Sequence, residues 1–177
     1  MKSKNQEAAI TYWLVPAKPE RELFGDVIRI LAKEMKGPRF ESHVTILVAP
    51  QDRQSPKKIL EKIKASPIHL SVRGIGTSSG LRKTLFVRLG SSRSLERLVA
   101  DLRRATKSRG KAAHDPHVSL VYKNLPASTR RKLASLVRLP FSQVVFDSIK
   151  AVRCASPMRN RADVEAWRVV ATKSLSG

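Results

Sequence analysis

His43-Val44-Thr45 opens an apolar run that continues through Ile46-Leu47-Val48-Ala49, and 74 positions later His117-Val118-Ser119 opens a second run, Leu120-Val121-Tyr122. Both runs are short and rich in β-branched residues, and Pro50 closes the first, so each reads as a strand. Residues two apart in a strand project to the same side. His43 therefore projects with Thr45, and His117 with Ser119, while Val44 and Val118 face the opposite way.

Upstream of the first motif, Ile10–Val15 reads as a strand stopped by Pro16, and Glu20–Lys36 as a helix with Leu23, Phe24, Val27, Ile28 and Leu31 at helical spacing. After it come a helix from the Ser55-Pro56 N-cap to about Ala65, a strand Ile68–Ile75 and the Gly/Ser-rich turn Gly74–Gly80. The order then restarts: strand Leu85–Leu89, helix Ser94–Lys107, strand His117–Tyr122, helix Ser128–Val137 and strand Gln143–Cys154, with Ala166–Lys173 as a closing strand. The 74-residue offset carries Trp13 onto Val87, Phe24 onto Leu98, Ile28 onto Leu102, Leu70 onto Val144 and Val72 onto Phe146. A constant offset through five elements indicates an internal duplication, strand–helix–strand–helix–strand twice over. The expected organisation is one bilobal domain over 1–177, with repeats at 10–76 and 84–150 and closing strands over 151–177. The expected fold is α+β: two pseudo-symmetric lobes with antiparallel sheets and outer helices around a central cleft.

The chain of 177 residues is 41% hydrophobic and 28% charged, the balance of a soluble globular protein. No apolar run reaches the ~20 residues a membrane span needs. Ala8–Ala17 holds Tyr12 and Trp13 and lacks a small-residue cleavage site, so it reads as a first strand rather than a secretion signal. The single Cys154 precludes an intramolecular disulfide and fits a reducing compartment, so a cytoplasmic location is expected. A net charge of +21 favours anionic partners without identifying one. Arg103, Arg104, Lys107, Arg109 and Lys111 precede the second motif and Arg130, Arg131 and Lys132 follow it. They are either a solvated helix end and loop or a positive rim able to contact RNA.

A histidine in an apolar strand is ordinarily a satisfied core residue. Two of them in matching strands of matching halves, each beside a hydroxyl, are a different observation. Imidazole titrates near neutrality, so one can act as base while the other acts as acid. Thr45 and Ser119 can donate to the non-bridging oxygens of a phosphate ester. That inventory calls for no metal and no cofactor. A zinc site assembled from His114, Asp115, His117 and His43 is the alternative. Against it, Asp115-Pro116 favours a turn, His114 lies outside the strand and no recognised ligand spacing is present.

The paired His-x-Thr/Ser motifs resemble those of the 2H phosphoesterase superfamily. The chain is most similar to its cyclic phosphodiesterases, which open ADP-ribose cyclic phosphate and nucleoside 2′,3′-cyclic phosphates. The resemblance extends over Trp13-Leu14-Val15-Pro16, the approach Gly37–Thr45, Pro116–Tyr122 and the closing Glu165-Ala166-Trp167. It implies His43 and His117 as the catalytic pair, Thr45 and Ser119 as phosphate ligands, and Tyr122 near the base or sugar. Core packing is an equally open role for Tyr122. Ser78-Ser79-Gly80-Leu81-Arg82-Lys83 departs from the family's aromatic and polar pattern there. Two other functions stay open: a 2′,5′ RNA ligase-like enzyme acting on RNA 2′,3′-cyclic ends, and a non-catalytic RNA-binding module. No obligate protein partner is implied.

Overall fold

A computed structural model describes residues 7–51, 54–108 and 115–176. Among these residues, seven strands and five helices follow one another along the chain. They are β1 (Glu7–Pro16), α1 (Glu20–Glu34), β2 (Val44–Pro50), α2 (Pro56–Lys62), β3 (Ile68–Thr77), β4 (Leu85–Leu89), α3 (Arg93–Thr106), β5 (His117–Val121), α4 (Ala127–Leu136), β6 (Gln143–Ser156), α5 (Arg161–Glu165) and β7 (Arg168–Ser174). A 3-10 turn, Leu81–Lys83, sits between β3 and β4. No helix among the described residues is long and apolar enough to cross a membrane.

The helices form where apolar residues recur at helical spacing. α1 buries Phe24, Ile28, Leu31 and Ala32, and α3 buries Leu95, Leu98, Val99 and Leu102. Ser92 caps α3 by accepting from the Leu95 N–H at 3.2 Å. Ser55 does occupy the N-cap position of α2, but its side chain makes no capping bond, and Pro56 is what starts the helix. Sequence reading missed α5, which is only one turn long and nearly without apolar residues. It is held by a capping box between Asn160 and Asp163.

The sheet is antiparallel throughout, in the order β2-β1-β6-β3-β4-β5, with β7 added to β6. The two long strands make the junction. β6 gives residues 143–146 to β3 and residues 148–153 to β7, and β3 passes from β6 to β4 at Val72. Element order and pairing repeat between β1–β3 and β4–β6. Leu70 pairs with Val144, two residues 74 positions apart, so a pseudo-two-fold axis crosses the sheet there. The correspondence slips by one residue at the motifs. Trp13 is in register with Thr45, and Phe86 with Ser119, so the counterpart of Trp13 is Phe86 and not Val87. Bulges at Tyr12/Trp13 and Leu85/Phe86 break the ladders at this point. Val87 faces the core instead, fully buried, as do Val44 and Val118.

Candidate active site

The two motif strands carry their histidines to one cleft of about 670 Å³, lined among others by Trp13, His43, Thr45, Arg82, Lys83, His117, Tyr122 and Trp167. β1 places Trp13, β2 begins directly after His43 and places Thr45, β5 begins at His117, and the chain before β7 contributes Trp167.

Both imidazoles are held in the same way. His43 Nδ1 lies 2.7 Å from the Glu41 carbonyl and His117 Nδ1 lies 2.8 Å from the Asp115 carbonyl, each two residues upstream of its histidine. A carbonyl only accepts, so each Nδ1 carries the proton and donates, and Nε2 is the ring nitrogen left for chemistry. The carboxylates of these same two residues are ion-paired. Both Glu41 oxygens take Lys150 Nζ at 2.6 Å, while Asp115 takes Lys83. Each half thus anchors its His-orienting residue twice, once through its carbonyl and once through its carboxylate.

The surroundings differ. His43 is buried and stacks on the Trp13 indole, with ring centroids 3.7 Å apart and planes inclined 12°. Trp167 stands edge-on at 5.7 Å and Phe40 at 6.4 Å. Burial drives its pKa down to about 4, a fall opposed by the bond to the Glu41 carbonyl and increased by repulsion from His117. His117 is half-buried against the edge of Phe86, 5.4 Å between centroids. Its pKa is also lowered, by burial first; the Asp115 carbonyl opposes the fall and the Lys83 charge adds to it. The charge of a protonated His117 thus disfavours protonating His43 at the same time.

The hydroxyls are not equivalent. Thr45 lines the cleft. Ser119 is buried, and its Oγ donates to the Arg82 carbonyl at 3.1 Å while sharing a hydrogen bond with Tyr122. Tyr122 lines the cleft and is also core, buried against Phe40 at 4.3 Å and Trp167 at 5.5 Å. Burial lifts its phenol to about 12, with Ser119 and Arg82 pulling the other way, so it stays protonated. The turn above Ser119 is pinned by Thr84 Oγ1 donating to the Lys123 carbonyl at 2.6 Å and by Ser78 Oγ donating to the Lys83 carbonyl at 2.6 Å.

Sequence reading missed the aromatic wall of Trp13, Phe40 and Trp167. Nothing in local pattern brings them together: Trp13 comes from β1, Phe40 from the approach to the first motif, and Trp167 is the residue before β7. Of the basic residues around the second motif, Arg103, Arg104 and Lys107 lie on or after α3 and do not line the cleft; the cations that do are Arg82, Lys83 and Arg159. Arg109, Lys111 and His114 lie outside the described residues. Among the described residues no three His, Cys, Asp or Glu side chains group as a metal site. Cys154, also in the cleft, has its thiol pKa raised by burial, against the Thr11 hydroxyl at 2.9 Å.

No family model and no curated protein sequence matches the chain. Solved structures do. LigT of E. coli in its apo form aligns over 98% of this chain and 100% of its own, with TM-score 0.58 and 16% identity. The same protein complexed with phosphate aligns with TM-score 0.56 and 16% identity, over 98% of this chain and 100% of its own. TT0787 of Thermus thermophilus aligns over 96% and 98% of the two chains, with TM-score 0.58 and 16% identity. Identity this low speaks for architecture alone, and the architecture is that of the LigT-like 2H phosphoesterase fold.

Proposed function

We propose that the protein is a phosphodiesterase that opens a cyclic phosphate on a ribose to a phosphomonoester, using His43 and His117 and no metal. The observation that carries this reading is the matched pair of imidazoles, each with Nδ1 committed to its own upstream carbonyl and each lining the same cleft. One Nε2 takes a proton from water as the water oxygen bonds to phosphorus. The bond from phosphorus to one ribose oxygen breaks, and the other Nε2, protonated, gives that oxygen its proton. The Thr45 hydroxyl donates to a non-bridging oxygen where charge accumulates. Ser119 joins it only when its hydroxyl turns from the Arg82 carbonyl to the phosphate. Trp167 and Tyr122 offer apolar faces to the base or sugar.

Support also comes from ligands of the shared fold: E. coli LigT has been crystallised with 3′-AMP, a ribose phosphomonoester of the kind this reaction releases. The test is a panel of ADP-ribose cyclic phosphate, nucleoside 2′,3′-cyclic phosphates and RNA ending in a cyclic phosphate, assayed after exhaustive EDTA treatment. Phosphomonoester formation undiminished by chelation is expected. Activity lost to EDTA and restored by zinc or manganese would replace this reading with metal-assisted hydrolysis.

A further inference from the structure

We propose that the surface beside His117, at the edge of the cleft, is a second anion subsite, built by Lys83 and Arg88 around Phe86, which binds a phosphate of the substrate other than the one being opened. The proposal rests on the phosphodiesterase reading above and names the class of substrate: a nucleotide carrying at least one further phosphate.

The two walls of the cleft differ in chemistry. The His43 wall is aromatic, with Trp13, Phe40 and Trp167 packed around the ring. Beside His117, at the edge of the cleft, the Phe86 ring has two cations against it: Lys83 Nζ at 4.6 Å from the ring centroid and the Arg88 guanidinium carbon at 5.9 Å. Arg88 is in register with His117 across β4–β5, so the two side chains leave the sheet on the same face, and Phe86, two residues before Arg88, leaves it there as well. Gly76 makes room for this arrangement. A Cβ on it would come within 2.5 Å of the Phe86 ring and 2.7 Å of Arg88 Nε, so only glycine lets both side chains lie flat over β3.

The charges do not cancel. Asp115 is ion-paired with Lys83 and also feels the charge of Arg88, which makes no ion pair of its own among the described residues, so one carboxylate faces two cations, and Arg82 adds another at the cleft. A guanidinium beside an aromatic ring, near the Asp115 carboxylate but not ion-paired with it, is suited to fork onto phosphate oxygens. A second phosphate, linked through the sugar, reaches across His117 to Arg88.

The experiment compares binding of adenosine 3′-monophosphate with that of adenosine 3′,5′-bisphosphate, read by quenching of Trp13 and Trp167 fluorescence. The wild type should prefer the bisphosphate, the preference should weaken with salt, and Arg88→Gln should reduce it by about tenfold or more. Arg88→Lys should retain part of it, and Lys57→Gln, which removes an equal charge on α2, should retain all of it. Thermal melts accompany each variant. Turnover of a cyclic-phosphate-ended dinucleotide and of ADP-ribose cyclic phosphate, each relative to a cyclic mononucleotide, then separates a backbone phosphodiester from a pyrophosphate as the source of the second phosphate. Equal wild-type affinity for the two probes, or a preference untouched by Arg88→Gln, overturns the subsite. Absence of turnover on every substrate overturns the phosphodiesterase reading instead, and the binding comparison still decides the subsite.

Discussion

His43 and His117 have the same side-chain bond and opposite neighbours, and the pH behaviour follows from that. A step that needs one imidazole neutral and the other protonated gives a bell in kcat/KM, with limbs set by the free protein's two values, whichever ring is the base. One limb lies near about 4 and the other below the ordinary 6.5, so the optimum should fall on the acid side of neutrality. Trp13→Leu removes the indole stacked on His43, lets water reach the ring, and should move the acid limb upward; a limb that stays in place would count against burial as its cause. The same shift affects stability. The unfolded chain binds a proton at His43 near 6.5 and the folded chain only near about 4, so stability is fully present above 6.5 and lost as pH falls through that window. The effect is of order 3 kcal/mol, and urea titrations of His43→Gln should show a shallower loss. At this scale the sequence was highly legible in one respect: a two-residue spacing fixes which side chains share a face, so His43 with Thr45 and His117 with Ser119 could be read directly. Ser119's engagement with Arg82 could not, because a carbonyl 37 positions away leaves no trace in local pattern.

Between elements, the determining contacts are the ion pairs that hold each histidine's upstream neighbour. Lys150 reaches from β6 to Glu41 with side chains only 18% and 32% exposed, and so fixes the carbonyl that orients His43. Lys150→Met leaves that carboxylate half-buried without its cation, a costly change. It should lower kcat by roughly tenfold with little change in KM, as loss of orientation does. Lys150→Arg should restore most of the rate, whereas a KM effect alone would mean that Lys150 binds substrate directly. The two hydroxyls should also separate. Thr45→Ala should reduce kcat by about 10²-fold without changing the melting temperature. Ser119→Ala should lower stability by about 1 kcal/mol as well, because it unfastens Tyr122 and the Arg82 turn. Long amphipathic elements such as α1 and α3 were plain in the sequence. The one-turn α5 and the Leu81–Lys83 turn were not, since neither has enough residues to show a period.

Across the whole molecule, β3 and β6 each serve both halves, and Leu70 and Val144 meet where the halves join. Urea unfolding should therefore show one cooperative transition. Leu70→Ala, at a site only 1% exposed, should lower its free energy by about 2–5 kcal/mol without splitting it. The like order of elements in the two halves was visible in the sequence, but the one-residue slip that puts Phe86 opposite Ser119 as Trp13 is opposite Thr45 was not, because a bulge changes register without changing hydrophobic pattern. The junction also explains why the cleft needs both halves: β2 and β5 lie in different halves, and the continuous sheet brings their histidines to one cleft. The measurement that bears on this most directly is turnover of a nucleoside 2′,3′-cyclic phosphate by His43→Ala, His117→Ala and the double variant, each shown to be folded by its melt. Each single change should reduce kcat by ~10²–10⁴-fold, and the double change by much less than the product, because both groups act in one step. Folded single variants that turn over at near wild-type rates would contradict the account.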